Sequence, residues 1–448
     1  MGDAGAVGLD FGTTNSALAR AAGSGPPELA RFAAPGGATP TFRSVLFFER
    51  EEGEPEVRVR AGPWALAAYL AREGGEGRLV QSLKSFLASR LFTSTRIFDA
   101  SWRLEGLIGA LLAAVRGEAE RAFGGPVERA VVGRPVHFVG AEGPEDEALA
   151  LRRLEASLRN AGFRETVFEY EPLGAAYHYE RGLARDELIL IADFGGGTSD
   201  FSLLYVGPSH LGSQRRETSI LGHDGVGLAG DAFDGRIVRE LVTPRLGRGA
   251  SFRSIFGRTL PVPAWIYAHL ERWHHVSFLR SRKTLRLLHD LRRDALEPEK
   301  LDALIRVVRE DLGMALHDAT EEAKRALSRR SRARLSLRQP ALTLEASLSR
   351  EAFEAWIAEE LAAIEACVDR LLTRTGVAPE RVDQVFLTGG SSFVPAVRRL
   401  FEARFGPTRI RSGEELTSVA SGLALRAREV FACRGVAVGA GPSPSSTK

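Results

Sequence analysis

Lysine is scarce in this chain. Among its 60 lysines and arginines, lysine stands only at positions 84, 283, 300, 324 and 448. Arginine is the default cation, so each interior lysine stands out. The net charge of +3 comes from nearly balanced totals, and no aromatic-interleaved basic patch or recognised module suggests a nucleic-acid partner. Cysteine is close to absent as well. Cys367 and Cys433 cannot build a disulfide framework, and no CxxC or Cys/His spacing suggests zinc. No charged segment followed by an apolar one opens the N-terminus, so no signal peptide is expected. No apolar run approaches the roughly 18 to 20 residues that cross a bilayer. These absences lead to the expectation of a cytoplasmic protein with no membrane partner. At 448 residues the chain is too long for one ordinary domain, and two or more lobes are expected.

Glycine, by contrast, is plentiful, and one glycine-containing triplet occurs twice. The chain opens with VGLDFGTTNS and later reads LILIADFGGGTSDFSLL. Each copy sets Asp-Phe-Gly at the end of an apolar run, Asp10-Phe11-Gly12 and then Asp193-Phe194-Gly195. Residues 6–11 and 15–20 read as two strands around a turn. Strand-like SVLFF (44–48) and helix-like residues 63–73 follow. Apolar residues at 104, 107, 108, 111, 112 and 115 have the spacing of an amphipathic helix. A β-like stretch at 130–136, a helix to about 161, a short strand VFEYEP and a helix LGAAYHYERG lead to the second copy at Leu188. Residues 231–340 look mostly helical, with Trp265, Trp273 and two histidines read as a packed subdomain core. Ser349 is a plausible N-cap of one long helix closed by Gly376. A third glycine turn, FLTGGSSFVP, again joins an apolar strand to a helix.

The gross pattern is an internal duplication of α/β lobes around a cleft, where ligands tend to sit. The expected organisation is lobe I at 1–187, with a peripheral subdomain at about 38–103, and lobe II at 188–434. Lobe II carries a helical insertion at about 231–340, and a disordered tail covers 435–448. Backbone N–H groups of Gly195, Gly196 and Gly197 can close on phosphate oxygens without side chains in the way. Thr13, Thr14 and Thr198 add hydroxyl donors. Asp10, Asp193 and Asp200 could hold a hydrated magnesium through its waters. The bland alternative, two ordinary glycine hairpins, loses force because the device is used twice. A protein-kinase reading of Asp-Phe-Gly fails, since no H-R-D-L-x-x-x-N precedes it and no A-P-E follows. No GxxxxGK[ST] P-loop occurs either.

The motifs resemble the actin/hexokinase/heat-shock ATPase superfamily, and within it the DnaK-type chaperones. GLDFGTTNS is similar to the first phosphate hairpin of that family and IADFGGGTSDFSLL to the second. RLVQSLKSFL resembles the segment of the catalytic lysine, which implies that role for Lys84. EPLGAAYHYE resembles E-P-x-A-A and makes Glu171 the water-orienting carboxylate. VVGRPVHF resembles the connecting strand with its proline, and GDAFDG the turn that contributes Gly230. EEAKRALS implies that Glu321, Lys324, Arg325 and Ser328 hold adenosine, and GGSSFVP that Gly389, Gly390 and Ser391 do so. The spacing and the V-x-GRP-x-x-F signature look closest to the YegD-type proteins. The resemblance spans about residues 6–430 and implies a duplicated actin-like, ribonuclease-H-like fold.

The resemblance implies binding of ATP/ADP and Mg2+ and slow hydrolysis of ATP. Gly12, Thr13, Thr14, Asn15 and Gly195–Gly197 would cradle phosphates, and Asp193 and Thr198 would act beside Lys84 and Glu171. Three departures stand out. Phe393 replaces an arginine that stacks on adenine, Ala229 replaces a glycine, and Leu416 and Thr417 stand where an acid is common. The reading expects no DnaK-type peptide clamp, and allows a protein partner or exchange factor at lobe II. Lys324 and Arg325 could instead belong to a solvated helical face. A non-hydrolysing nucleotide sensor, a sugar-kinase-like phosphotransferase and a filament-forming relative remain as alternatives.

Overall fold

The computed structural model describes residues 6–23, 25–51, 53–71, 76–210, 216–254, 256–340, 342–411 and 418–436. The first Asp-Phe-Gly closes a buried strand, Ala6–Phe11, and the chain returns antiparallel to it as Asn15–Arg20. The second does the same, with Glu187–Phe194 turning into Ser199–Val206 and Asp193 opposite Asp200. Both apolar runs are almost continuous because these strands are covered on both faces.

Each hairpin is the centre of a five-membered strand order, and the two orders match. The first runs Glu28–Leu29, Asn15–Arg20, Ala6–Phe11, Arg129–Arg134, Glu165–Tyr170, the last two strands parallel to Ala6–Phe11. The second runs Ile220–Val226, Ser199–Val206, Glu187–Phe194, Gln384–Thr388, Ile410–Arg411, with the same senses. The duplicated α/β fold expected from the repeated triplet is present. Helix Leu104–Phe123 covers the first sheet through the apolar positions its spacing marks, all of them fully buried. A peripheral three-stranded sheet centres on Val45–Arg50, with Arg58–Ala61 and Glu76–Gln81 at its sides.

Three features differ from the sequence reading. The final helix, Ser418–Val436, packs on the first sheet rather than on lobe II, since Leu423, Ala427 and Phe431 bury against Ala6 and Val131. The helix Glu171–Glu180 does the reverse. Its Leu173 and Ala176 pack on Ile189, Ile191, Leu204 and Val206 of the second sheet. The two helices cross where Gly422 meets the carbonyl of Gly174. Secondly, the stretch 231–340, mostly helical as read, also holds a strand pair, Ser251–Arg253 with Thr259–Pro261. It ends in a strand, Arg332–Gln339, paired with Leu342–Ser349, because Leu335 and Leu337 alternate with polar residues. Thirdly, the helix after Ser349 is split into Arg350–Trp356 and Ala358–Thr375. Its two caps are as expected: the Ser349 hydroxyl accepts from the Ala352 N–H, and Gly376 takes φ 67°. Leu416, Thr417 and the tail beyond residue 436 lie outside the described residues. Among the described residues no helix is long and apolar enough to cross a membrane.

Candidate functional site

Both hairpins end at one cleft of about 1000 Å³, and every site residue singled out in the sequence lines it. Gly12, Thr13, Thr14 and Asn15 form one wall; Gly195, Gly196, Gly197 and Thr198 form the other. The walls touch. A Cβ on Gly196 would lie 2.4 Å from the Thr14 hydroxyl, so a larger residue would push the Thr14 side chain aside. The carbonyl of Gly196 accepts from the Asp231 N–H at 2.7 Å, which ties the second hairpin to the helix Gly230–Ile237. Gly197 faces open space.

Beneath the turns, acids gather around one lysine. Lys84 lies in a 3₁₀ turn, Leu83–Phe86, entered through Ser82 at φ 55°. Arg153 secures the chain just beyond, donating to the carbonyls of Leu87 at 3.0 Å and Ser89 at 2.8 Å. The Lys84 ammonium donates to Glu171 at 2.6 Å, both side chains largely buried. Burial pulls this ammonium down, but Glu171, Asp10 and Asp193 outweigh it and leave it raised. Burial pushes Asp10 up to about 7, helped by the Glu171 charge and opposed by Lys84. Asp200 is likewise pushed up to about 7 by burial and the Asp193 charge, although Thr198 donates to it at 2.9 Å. Asp193 is raised by burial against the hydroxyl of Thr388, which donates to it at 2.8 Å.

Four carboxylates around one ammonium leave an excess of negative charge in a desolvated place. The all-oxygen donor set suits a hard divalent cation. Among the described residues no three His, Cys, Asp or Glu groups converge to grip an ion directly. The carboxylates of Asp10, Asp193 and Asp200 are donors of the kind such a cation takes.

Toward the other end of the cleft, helix Gly313–Arg329 carries Glu321, Lys324, Arg325 and Ser328. Lys324 comes next to Gly230 and Ser391, as a Cβ on Gly230 would lie 3.4 Å from its ammonium and 2.9 Å from the Ser391 hydroxyl. Yet that ammonium is already committed, donating to Asp234 at 2.7 Å and to the Gly230 carbonyl at 3.3 Å. Arg325 is exposed and pairs with Glu321 at 3.2 Å, while Ser328 donates to its own helix at the Lys324 carbonyl. Gly389 and Gly390 turn the chain from the strand Gln384–Thr388, and Phe393 is 54% exposed at the rim. A second cavity of about 400 Å³ opens behind the acids. It shares Glu171, Asp193, Thr198 and Asp200 with the cleft and is also lined by His137 and His223.

Sequence reasoning missed three supporting residues. Thr388 sits in FLTGG and Asp234 in GDAFDG, segments read for their backbones when their side chains also matter. Arg153 carries no signal, since it is one arginine among many on a helix.

Comparison with known proteins agrees with this geometry. A family model described as Hsp70 protein matches residues 305–434. Chaperone protein DnaK of Thermosipho africanus is 26% identical over 427 residues, covering 94% of this chain and 58% of that relative. Chaperone protein DnaK of Thermotoga maritima is 26% identical over 425 residues, covering 94% of this chain and 59% of the relative. The chain thus spans somewhat over half the length of the curated relatives it matches. Family model and relatives alike make this chain similar to proteins of the DnaK/Hsp70 type.

Proposed function

We propose that the chain binds magnesium-ATP between its lobes and hydrolyses it slowly, as a chaperone-like nucleotide clamp. The observation that carries this reading is the meeting of two Asp-Phe-Gly hairpins over a buried lysine and four carboxylates. In this reading the backbone of Gly195–Gly197 and the hydroxyls of Thr13, Thr14 and Thr198 bind phosphate oxygens. Glu171 and Asp193 orient the attacking water by accepting hydrogen bonds from its O–H groups. Lys84 offsets the charge that develops during phosphoryl transfer, by position and electrostatics rather than covalent chemistry. A hydrated magnesium, held by Asp10, Asp193 and Asp200, would supply neutralisation of phosphate charge. Glu321, Ser391 and Phe393 border the space left for adenosine, with Lys324 bracing that wall through Asp234.

The Lys84–Glu171 pair at 2.6 Å also favours a second reading. A lysine and a carboxylate that satisfy each other could leave a nucleotide sensor that closes without hydrolysing. Single-turnover phosphate release separates the two. Under hydrolysis, Lys84→Ala keeps ATP binding and slows release by about 100-fold or more. A release rate unchanged by that substitution sinks the hydrolytic reading.

A further inference from the structure

Three cations of the cleft are spoken for. Lys84 is held by Glu171, Lys324 by Asp234 and Arg325 by Glu321. On the lobe I wall one cation is left over, Arg43. Its guanidinium has no hydrogen-bond or ion-pair partner among the described residues, although the side chain is half-buried.

The position of Arg43 follows from strand alternation. Phe42–Arg43 is a short strand antiparallel to the start of Asn15–Arg20, with Asn15 opposite Arg43 and Ser16 opposite Phe42. The next residue, Ser44, donates its N–H to the Thr14 carbonyl at 2.8 Å, which fixes this strand to the first phosphate hairpin. Phe42 points into the core, edge-on to Phe32 and against Gly62. Successive side chains on a strand take opposite faces, so Arg43 points to the cleft. There it stands within electrostatic range of Asp231, Asp318 and Glu321 across the cleft, favouring the charged form of each carboxylate. None of the three comes close enough to form an ion pair with it. These acids share its field without occupying its donors.

We propose that Arg43 is a polyphosphate-binding residue of lobe I, a charged contact added to the backbone cradle of the first hairpin. The inference rests on the nucleotide-binding reading above and names one more residue of that site. A guanidinium offers a planar fork of donors that matches phosphate oxygens, and such charge-assisted bonds are among the stronger ones. It also supplies positive charge at a place where acids outnumber cations and a triphosphate must enter.

Calorimetric titration of magnesium-ATP, magnesium-ADP and adenosine tests this on wild type, Arg43→Ala and Arg43→Lys. Arg43→Ala should weaken ATP and ADP about 10- to 100-fold and leave adenosine within about twofold. Arg43→Lys should recover part of the loss, since a point charge remains but the fork does not. Unchanged affinity for ATP and ADP in Arg43→Ala overturns the assignment. So does an equal loss for adenosine, which would make Arg43 a support for the cleft as a whole. The clamp reading fails differently: wild type itself would then bind neither nucleotide, and the Arg43 assignment would fall with it. Matching thermal melts of the three proteins separate a lost contact from a lost fold.

Discussion

The Lys324 ammonium and the Asp234 carboxylate are 2.7 Å apart, and both side chains are about nine-tenths buried. Burial pushes Asp234 up to about 6 although Lys324 pulls it down. A raised carboxyl holds its proton more tightly in the folded chain than in the unfolded one. Its stabilising contribution is complete below about pH 4 and is lost as the pH rises through about 6. Lys324→Met removes the opposing pull, so Asp234 must ionise unpaired or stay protonated. Breaking one side of a buried pair costs about 3–5 kcal/mol. The variant should show that loss in urea unfolding near pH 8 and a clearly smaller one near pH 5, where Asp234 is protonated. Equal losses at both would mean that Lys324 acts through its aliphatic stem alone. Lys324 stood out through the resemblance of EEAKRALS; its partner did not, because pairing between residues 90 apart is set by the fold.

At the scale of elements, the seat of Ser418–Val436 against Glu171–Glu180 and against the strand Ala6–Phe11 depends on two glycines. A Cβ on Gly422 would lie 1.8 Å from the Gly174 carbonyl oxygen, and one on Gly8 would lie 2.2 Å from the Ala424 nitrogen. Both obstacles are backbone, which cannot swing aside. Gly422→Ala should therefore destabilise the protein despite the better helix propensity of alanine, by about 1–3 kcal/mol of overpacking. Denaturant midpoints check it; a variant as stable as wild type would mean that the helices can part without cost. How these helices divide between the lobes was not readable from the sequence. An amphipathic pattern gives a buried face but not the sheet that covers it. The hairpins were legible in both copies because a strand, a turn and a returning strand are local. The strand Arg332–Gln339 had its signal, Leu335 and Leu337 alternating with arginines and serine, but the helical texture before it masked the change of period.

For the molecule as a whole, the two sheets are joined through crossing helices at the base and face each other across a cleft of about 1000 Å³. Burial raises the carboxyls of Asp10, Asp193 and Asp200, and the charges of neighbouring acids add to it. A nucleotide alone would add negative charge to that cluster; a nucleotide with a hydrated divalent cation would bring the compensating charge. Binding to the folded form alone stabilises by about 2.7 kcal/mol at a hundredfold excess over Kd. For a chain of this length that corresponds to a rise in melting temperature of about 3 °C. We expect that rise with magnesium and ATP together, accompanied by a smaller radius of gyration in solution scattering as the hairpins draw in. Chelation of the magnesium should abolish most of both effects while ATP remains present. A melting shift of the same size with chelator would show that ATP binds without help from the carboxylates, and would remove the cation from the closing of the lobes.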